Sequence, residues 1–341
     1  METIADGKVI IEIDGDDKGF ASKLQGVDKS ASELASGALK ELVKGVAVVG
    51  SAMSAGAAAA VAAGSAYETA FAKTATIMDT SVVSAQAMSA AIIDLSNDTG
   101  TAAKELSNSV YDAISATGDT AHAVSLVADA SKLATAGFAE QGDALGVLTT
   151  IMNAYGMEAD QAQTISDSLI QTQNLGVTTV GQLSKSMGKA IATASAYSID
   201  LYNLESAYVS LTKAGISTEE STTYLSSMFN ELGDSGSQVA KIIQEKTGKS
   251  FGQLMKDGAS LGDVLDILLV SVNGDKEALA NLWGSAEAGK ASMAIAGQGV
   301  DTFNSNLENL RNSAGTTEKA YETMTQTLSF QTDLLLSLIH I

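Results

Sequence analysis

Apolar positions recur along this chain with a helical period almost throughout. The exception lies near the start. Lys8 to Asp14 reads KVIIEID, a β-branched and acidic run closed by the turn cluster Asp14-Gly15-Asp16-Asp17, and predicts a short strand. From Lys18 the spacing of Phe20, Leu24, Val27 and Leu34 predicts a helix. Gly45 to Tyr67 then carries no charge at all. Beyond Tyr67 the pattern breaks into helical segments of about 12 to 20 residues. They are separated by Asn97-Asp98-Thr99-Gly100, Thr117-Gly118-Asp119-Thr120, Asn174-Leu175-Gly176-Val177 and Gly233-Asp234-Ser235-Gly236. These separators read as helix C-caps running into Ser, Thr or Asp N-caps. Thr302 to Phe330 is again helical, with Phe303, Leu307, Leu310, Tyr321, Met324 and Leu328 in phase, and is expected to open a longer helical shaft.

An internal repeat runs through the helical part. LSNSVYDAI at Leu106 to Ile114 matches LSKSMGKAI at Leu183 to Ile191. LATAGF at Leu133 to Phe138 matches LTKAGI at Leu211 to Ile216, and LTTIMNAYG at Leu148 to Gly156 matches LSSMFNELG at Leu225 to Gly233. The offsets are 77, 78 and 77 residues, which one insertion explains. Each copy predicts a multi-helix module whose Leu, Ile and Met residues form the buried seam. Ala-Gly before Phe138 and Ile216 predicts a helix end with a tight turn. The expected fold class is all-α: a pseudo-symmetric multi-helix domain with a short N-terminal strand. The expected divisions are a strand and helix (1–40), an Ala/Gly-rich helix (41–74), a helical core (75–300, modules 106–156 and 183–233) and a shaft (301–335).

Composition supports helices. Pro is absent, where average usage would place roughly seventeen in this length, and Pro breaks helix interiors. Cys is also absent, which removes disulfides and thiolate metal sites. Forty acidic against 20 basic residues give a net charge of −20. That balance argues against nucleic-acid recognition, which needs a basic face, and favours solubility through like charge. METIADGKVI lacks the basic and apolar regions of a signal peptide.

Motifs that carry chemistry fail on inspection. The run from Asp14 resembles the start of a calcium loop, but Lys18 and Gln25 hold the positions that need an oxygen ligand and a bidentate Glu. Thr247-Gly248-Lys249-Ser250 resembles the end of a phosphate-binding loop, but Ile243 stands where that motif needs Gly, so a turn is expected. His122 and His340 are the two histidines; His122 is expected to be exposed or capping. No catalytic, metal or cofactor residues are picked out, and enzymatic activity is not expected.

The uncharged stretch is different. A 23-residue helix is about 34 Å long, against a hydrocarbon core of about 30 Å, yet Ala, Gly and Ser leave insertion near balance. Ala52, Gly56, Ala60 and Gly64 recur every fourth residue. Such a stripe lets helix backbones approach closely, in a membrane or out of one. Packing in an assembly and entry into a membrane both stay open.

Taken in order, several segments resemble the phage tail tape measure proteins. They are Gly7 to Asp14 running into a helix, Tyr67 to Lys73 (YETAFAK), Leu133 to Phe138, Ile151 to Gly156 (IMNAYG), Leu211 to Ser217 and Trp283 to Gly289 (WGSAEAG). The family often has Phe-Gly where this chain has Trp283-Gly284. The resemblance implies a structural role: copies self-associate into an extended helical bundle, around which tail-tube subunits polymerise with the help of tail assembly chaperones. It implies that the bundle is a ruler whose length sets tail length, and it places the protein in the virion tail lumen, in the host cytoplasm during assembly and, as a passage for genome ejection, in the host membrane on infection. It carries no active-site residues. Two rival readings are a membrane-active or pore-forming helical protein of other origin and a cell-wall hydrolase. Finally, LSLIHI at Leu336 to Ile341 is what CTG TCT CTT ATA CAC ATC encodes, a transposase end used as a sequencing adapter. The expectation is that these residues are adapter-derived and that the chain is an N-terminal fragment.

Overall fold

The computed structural model describes residues 54–327, with side chains from Gly64 onward. The expected strand and first helix, Ala52 and the LSLIHI end lie outside the described residues. The chain divides into two units, Met1–Gly64 and Ser65–Ile341. Among the described residues there are seventeen α-helices and no strands, so the fold is all-α. Helix α1 is Ser54–Ala75. Then come α2 (Ala85–Thr99), α3 (Ala103–Thr117), α4 (Ala123–Gly137) and α5 (Gln141–Tyr155). After a 3-10 turn at Ala159–Gln161 follow α6 (Ala162–Leu175), α7 (Val180–Ser186), α8 (Gly188–Ala196), α9 (Leu201–Lys213) and α10 (Thr218–Gly233). The remainder is α11 (Gln238–Thr247), α12 (Phe251–Lys256), α13 (Leu261–Ser271), α14 (Lys276–Asn281), α15 (Ala286–Gln298), α16 (Val300–Arg311) and α17 (Thr316–Thr325).

The separators meet the capping expectation in part: α3 and α4 follow Ala102 and His122 with no side-chain cap, and Gly176 after α6 is extended. Gly100 and Gly118 end α2 and α3 in the left-handed conformation, each returning its N–H to a carbonyl of the last turn. Thr179 with Gln182, Ser217 with Glu220 and Ser250 with Gln253 form reciprocal capping boxes at the starts of α7, α10 and α12.

The repeat is visible in the helix boundaries. Helices starting at residues 85, 103, 123 and 141 return at 162, 180, 201 and 218, offsets of 77, 77, 78 and 77. The long α3 of the first copy becomes α7 and α8 in the second, broken at Met187 beside Gly188. Equivalent side chains are buried in both copies: Leu106 and Leu183, Val110 and Met187, Ala113 and Ala190, Leu148 and Leu225, Ile151 and Met228. Each such side chain is worth roughly 1.5–3 kcal/mol for the larger residues, so the recurrence of the seam is what fixes the recurrence of the helices. The neighbour pattern repeats too: α4 packs on α2, α3 and α5, as α9 packs on α6, α8 and α10.

One detail differs from the sequence match. The first helix end is closed by Ala139 N–H to Ala134 O, with Phe138 left-handed at φ 55°. The second is closed by Ile216 N–H to Leu211 O, with Gly215 left-handed at φ 85°. These closures are 77 residues apart, so the helix end needs no insertion, and Phe138 occupies the place of Gly215. The glycine of the first copy has moved back to 137 because α7 crosses there: a Cβ on Gly137 would lie 2.5 Å from Val180 Cβ, and one on Gly181 2.6 Å from Phe138 O.

The copies pack in series. α4 and α5 cover α6, α7 and α8, while α9 and α10 are covered by α16 and α15. Residues 65–75 of α1 close the other end: the Tyr67 hydroxyl lies 2.8 Å from Ser89 Oγ on α2, and Thr74 Oγ1 donates to Ser107 O on α3 at 2.9 Å. The segment expected to open a shaft is not one helix as far as residue 325. α16 buries Phe303, Leu307 and Leu310 and packs on α9. The chain then turns at Asn312 to Gly315, and α17 lies on α4 and α6. The apolar period there serves packing on the domain.

Candidate functional site

The stripe expected to mediate packing falls on α1. Gly56, Ala60 and Gly64 are helical, as the four-residue spacing requires, while Ala52 lies outside the described residues. A Cβ added at Gly64 would meet nothing within 4 Å among the described residues. Three residues on, the helix is locked to the domain. Tyr67 and Phe71 stack with ring centroids 5.9 Å apart, both buried, and Lys73 Nζ sits 4.1 Å from the centroid of the Tyr111 ring. Burial raises the Tyr67 pKa, partly offset by its Ser89 bond.

The uncharged stretch is described only from Ser54 to Tyr67; Gly45 to Met53 lie outside the described residues. Among the described residues, no helix is long and apolar enough to cross a membrane. Helix α1 as described is built largely of Ala, Gly and Ser, which are too weakly apolar to carry a span. It runs on through Glu68 and Lys73 to Ala75, and its larger side chains are spent on the domain.

The sites discounted from sequence are structural where described. Thr247 ends α11, Gly248 is left-handed and Ser250 caps α12, so this stretch is a turn. His122 precedes α4 with its ring exposed, Nδ1 lying 2.7 Å from Asp119 Oδ2. Among the described residues no group of three or more His, Asp or Glu could hold a metal ion. An open cleft of about 570 Å³ lies between α8, α11 and α12, floored by Leu232 and Phe251 and edged by Tyr197, Gln244, Lys241 and Lys256.

Three carboxylates escaped the sequence reading. Asp167 on α6 accepts the N–H groups of Gly315 and Thr317, each at 2.8 Å, and so caps α17 from 148 and 150 residues away. Glu231 on α10 does the same for α15, accepting from Gly284 N at 2.6 Å and from Ser285 N and Oγ at 2.9 and 2.6 Å. A negative charge at a helix N-terminus is favourable. Glu205 on α9 is fully buried. Ser168 Oγ donates to its Oε1 at 2.9 Å, while Oε2 and the nearby buried Tyr155 hydroxyl have no hydrogen-bond partner among the described residues. Desolvation holds the Glu205 pKa well above the ordinary carboxylate range; the Ser168 bond opposes this and the Asp200 charge adds to it. The signal for Glu205 was present, because it sits in the apolar stripe Leu201, Leu204, Tyr208 at helical spacing. Asp167 and Glu231 had none, since their partners are distant in sequence. All three bond within the domain and hold helices together.

The comparisons with known proteins agree with this structural character. The chain is 32% identical over 291 residues to a protein of Clostridium phage phiCD119 described as a probable tape measure protein. That match covers 82% of this chain but 31% of the relative, so the chain spans about a third of its length. No solved structure matches the chain. The family model for phage-related minor tail proteins matches residues 89–331, from within α2 to beyond α17. The chain therefore belongs to the family of phage-related minor tail proteins.

Proposed function

We propose that this chain is part of a tape measure protein, acting as scaffold and length ruler in tail-tube assembly. The observation that supports this most is the likeness to the phiCD119 tape measure protein across 82% of the chain. The fold refines the proposal. Helices of 6 to 22 residues folded back on one another cannot measure a tail, since reach along an axis needs continuous helix at about 1.5 Å per residue. The ruler is therefore assigned to parts of the protein outside residues 65–327, and the repeat domain is the folded body that meets other tail components. Tail-tube subunits and assembly chaperones are its proposed partners. Self-association is assigned to Ala52, Gly56, Ala60 and Gly64, whose four-residue spacing lets two helices approach closely.

Co-expression tests this. The complete gene is expressed with tail-tube subunits and chaperones, intact or lacking codons 65–327. Tubes of one defined length are expected only from the intact gene. Equally uniform tubes from the deletion would remove the domain from the scaffold.

A further inference from the structure

We propose that α17 is a detachable strap, docked on α4 and α6 by a polar latch and released while the rest of the domain stays folded. Four features point to it. First, α17 has no cap of its own: Gly315 precedes it with no side-chain acceptor, and Asp167 of α6 supplies the missing one through Gly315 and Thr317. Second, the apolar hold is thin. Thr317 is the one fully buried residue of the helix, while Ala320, Tyr321 and Met324 are half-buried along the face that meets α4 and α6. Third, a second polar hold adjoins the first: Lys132 Nζ on α4 lies 2.6 Å from Glu318 Oε2 and 5.9 Å from the centroid of the Tyr321 ring. Fourth, the linker Asn312 to Gly315 ends in a left-handed glycine, φ 80°, a place where the chain can re-aim.

Together these separate α17 from its neighbour α16, which is held by buried Phe303, Leu307 and Leu310. A ten-residue helix is not stable alone in water, so undocking and unravelling of α17 are one event. The strap thus lets the domain give up α17 to an extended form without unfolding. The inference concerns this domain alone and does not depend on the tail role.

Amide hydrogen exchange on the full 341-residue chain tests it, comparing wild type, Asp167→Ala and Lys132→Met. In wild type, the α17 amides are expected to exchange at least about 100-fold faster than those of α9, as a low-stability unit does. Asp167→Ala removes two charge-assisted bonds and should raise α17 exchange by a further factor of about 10 or more, leaving α9 and α10 unchanged. Lys132→Met keeps the stem and removes the ion pair, and should raise it less. Equal protection of α17 and α9 in wild type would overturn the proposal. So would a rise that spreads equally over α4, α6 and α9, or no rise in either variant. The wild-type comparison decides even where Asp167→Ala fails to fold.

Discussion

Replacing Glu205 with Gln should make the domain more stable at neutral pH and flatten its pH dependence. Glu205 is fully buried; among the described residues it receives one hydrogen bond, from Ser168, and its Oε2 has no partner. Its pKa is raised by desolvation and further by Asp200. In the unfolded chain a Glu titrates at about 4.3. Between that value and the raised folded one, the native state holds a proton that the unfolded state has lost. Stability contributed at this site is therefore complete below about pH 4.3 and falls as pH rises, by up to about 1.4 kcal/mol per pH unit, until the folded group ionises. Gln keeps the acceptor for Ser168, places a donor where Oε2 stands and never ionises. The expected result in urea unfolding from pH 4.5 to 7.5 is a stability difference, variant minus wild type, that grows with pH at about that slope. Near pH 4.5 the two should differ by less than about 1 kcal/mol. Parallel pH curves would refute the reasoning, as would a variant less stable than wild type at pH 7.

Other substitutions probe the packing. Gly181→Ala puts a Cβ against the Phe138 carbonyl oxygen, a backbone atom that cannot step aside, and should cost about 1–3 kcal/mol by chemical denaturation. A loss below about 0.5 kcal/mol would mean the crossing of α4 and α7 is looser than described. Phe138→Gly relieves a left-handed aromatic that is 63% exposed. It should leave stability within about 1 kcal/mol of wild type, because backbone relief and unfolded-state entropy nearly cancel; a loss above about 2 kcal/mol would show a packing role for the ring. Gly64→Ala should slow amide exchange in α1, by the roughly 1 kcal/mol that separates the two residues in helices, and should weaken self-association in sedimentation if the stripe is an interface. Unchanged association would take Gly64 out of that interface. Glu231→Ala leaves the N–H groups of Gly284 and Ser285 without their acceptor and should cost about 1–3 kcal/mol; a neutral result would show water replacing the carboxylate.

The fold was readable where the physics is local or periodic. Leu106, Leu148, Leu183 and Leu225 recur because the same seam is buried twice, and Gly100 and Gly118 end helices through bonds within one turn. Matching residue types misplaced the helix end at Phe138 by one residue. Ala-Gly is common in such helices, whereas the true register is set by Gly137 and Gly181 yielding to the crossing of α7. The periodicity of Phe303, Leu307, Leu310 and then Tyr321 and Met324 fits a shaft or two packed helices equally well, and Asn312-Ser313-Ala314-Gly315 was the overlooked break. Asp167 and Glu231 act on residues 148–150 and 53–54 positions away, a distance over which sequence pattern carries no signal.

The proposed ruler role is tested most directly by tail length. In a phage whose tail gene carries this chain, about 100 helical residues are added or removed in frame, C-terminal to the repeat domain. Tails are then measured by electron microscopy. The account predicts a shift of about 150 Å in the matching direction, at 1.5 Å per residue. Tails of unchanged length, with the altered protein present in them, would contradict it.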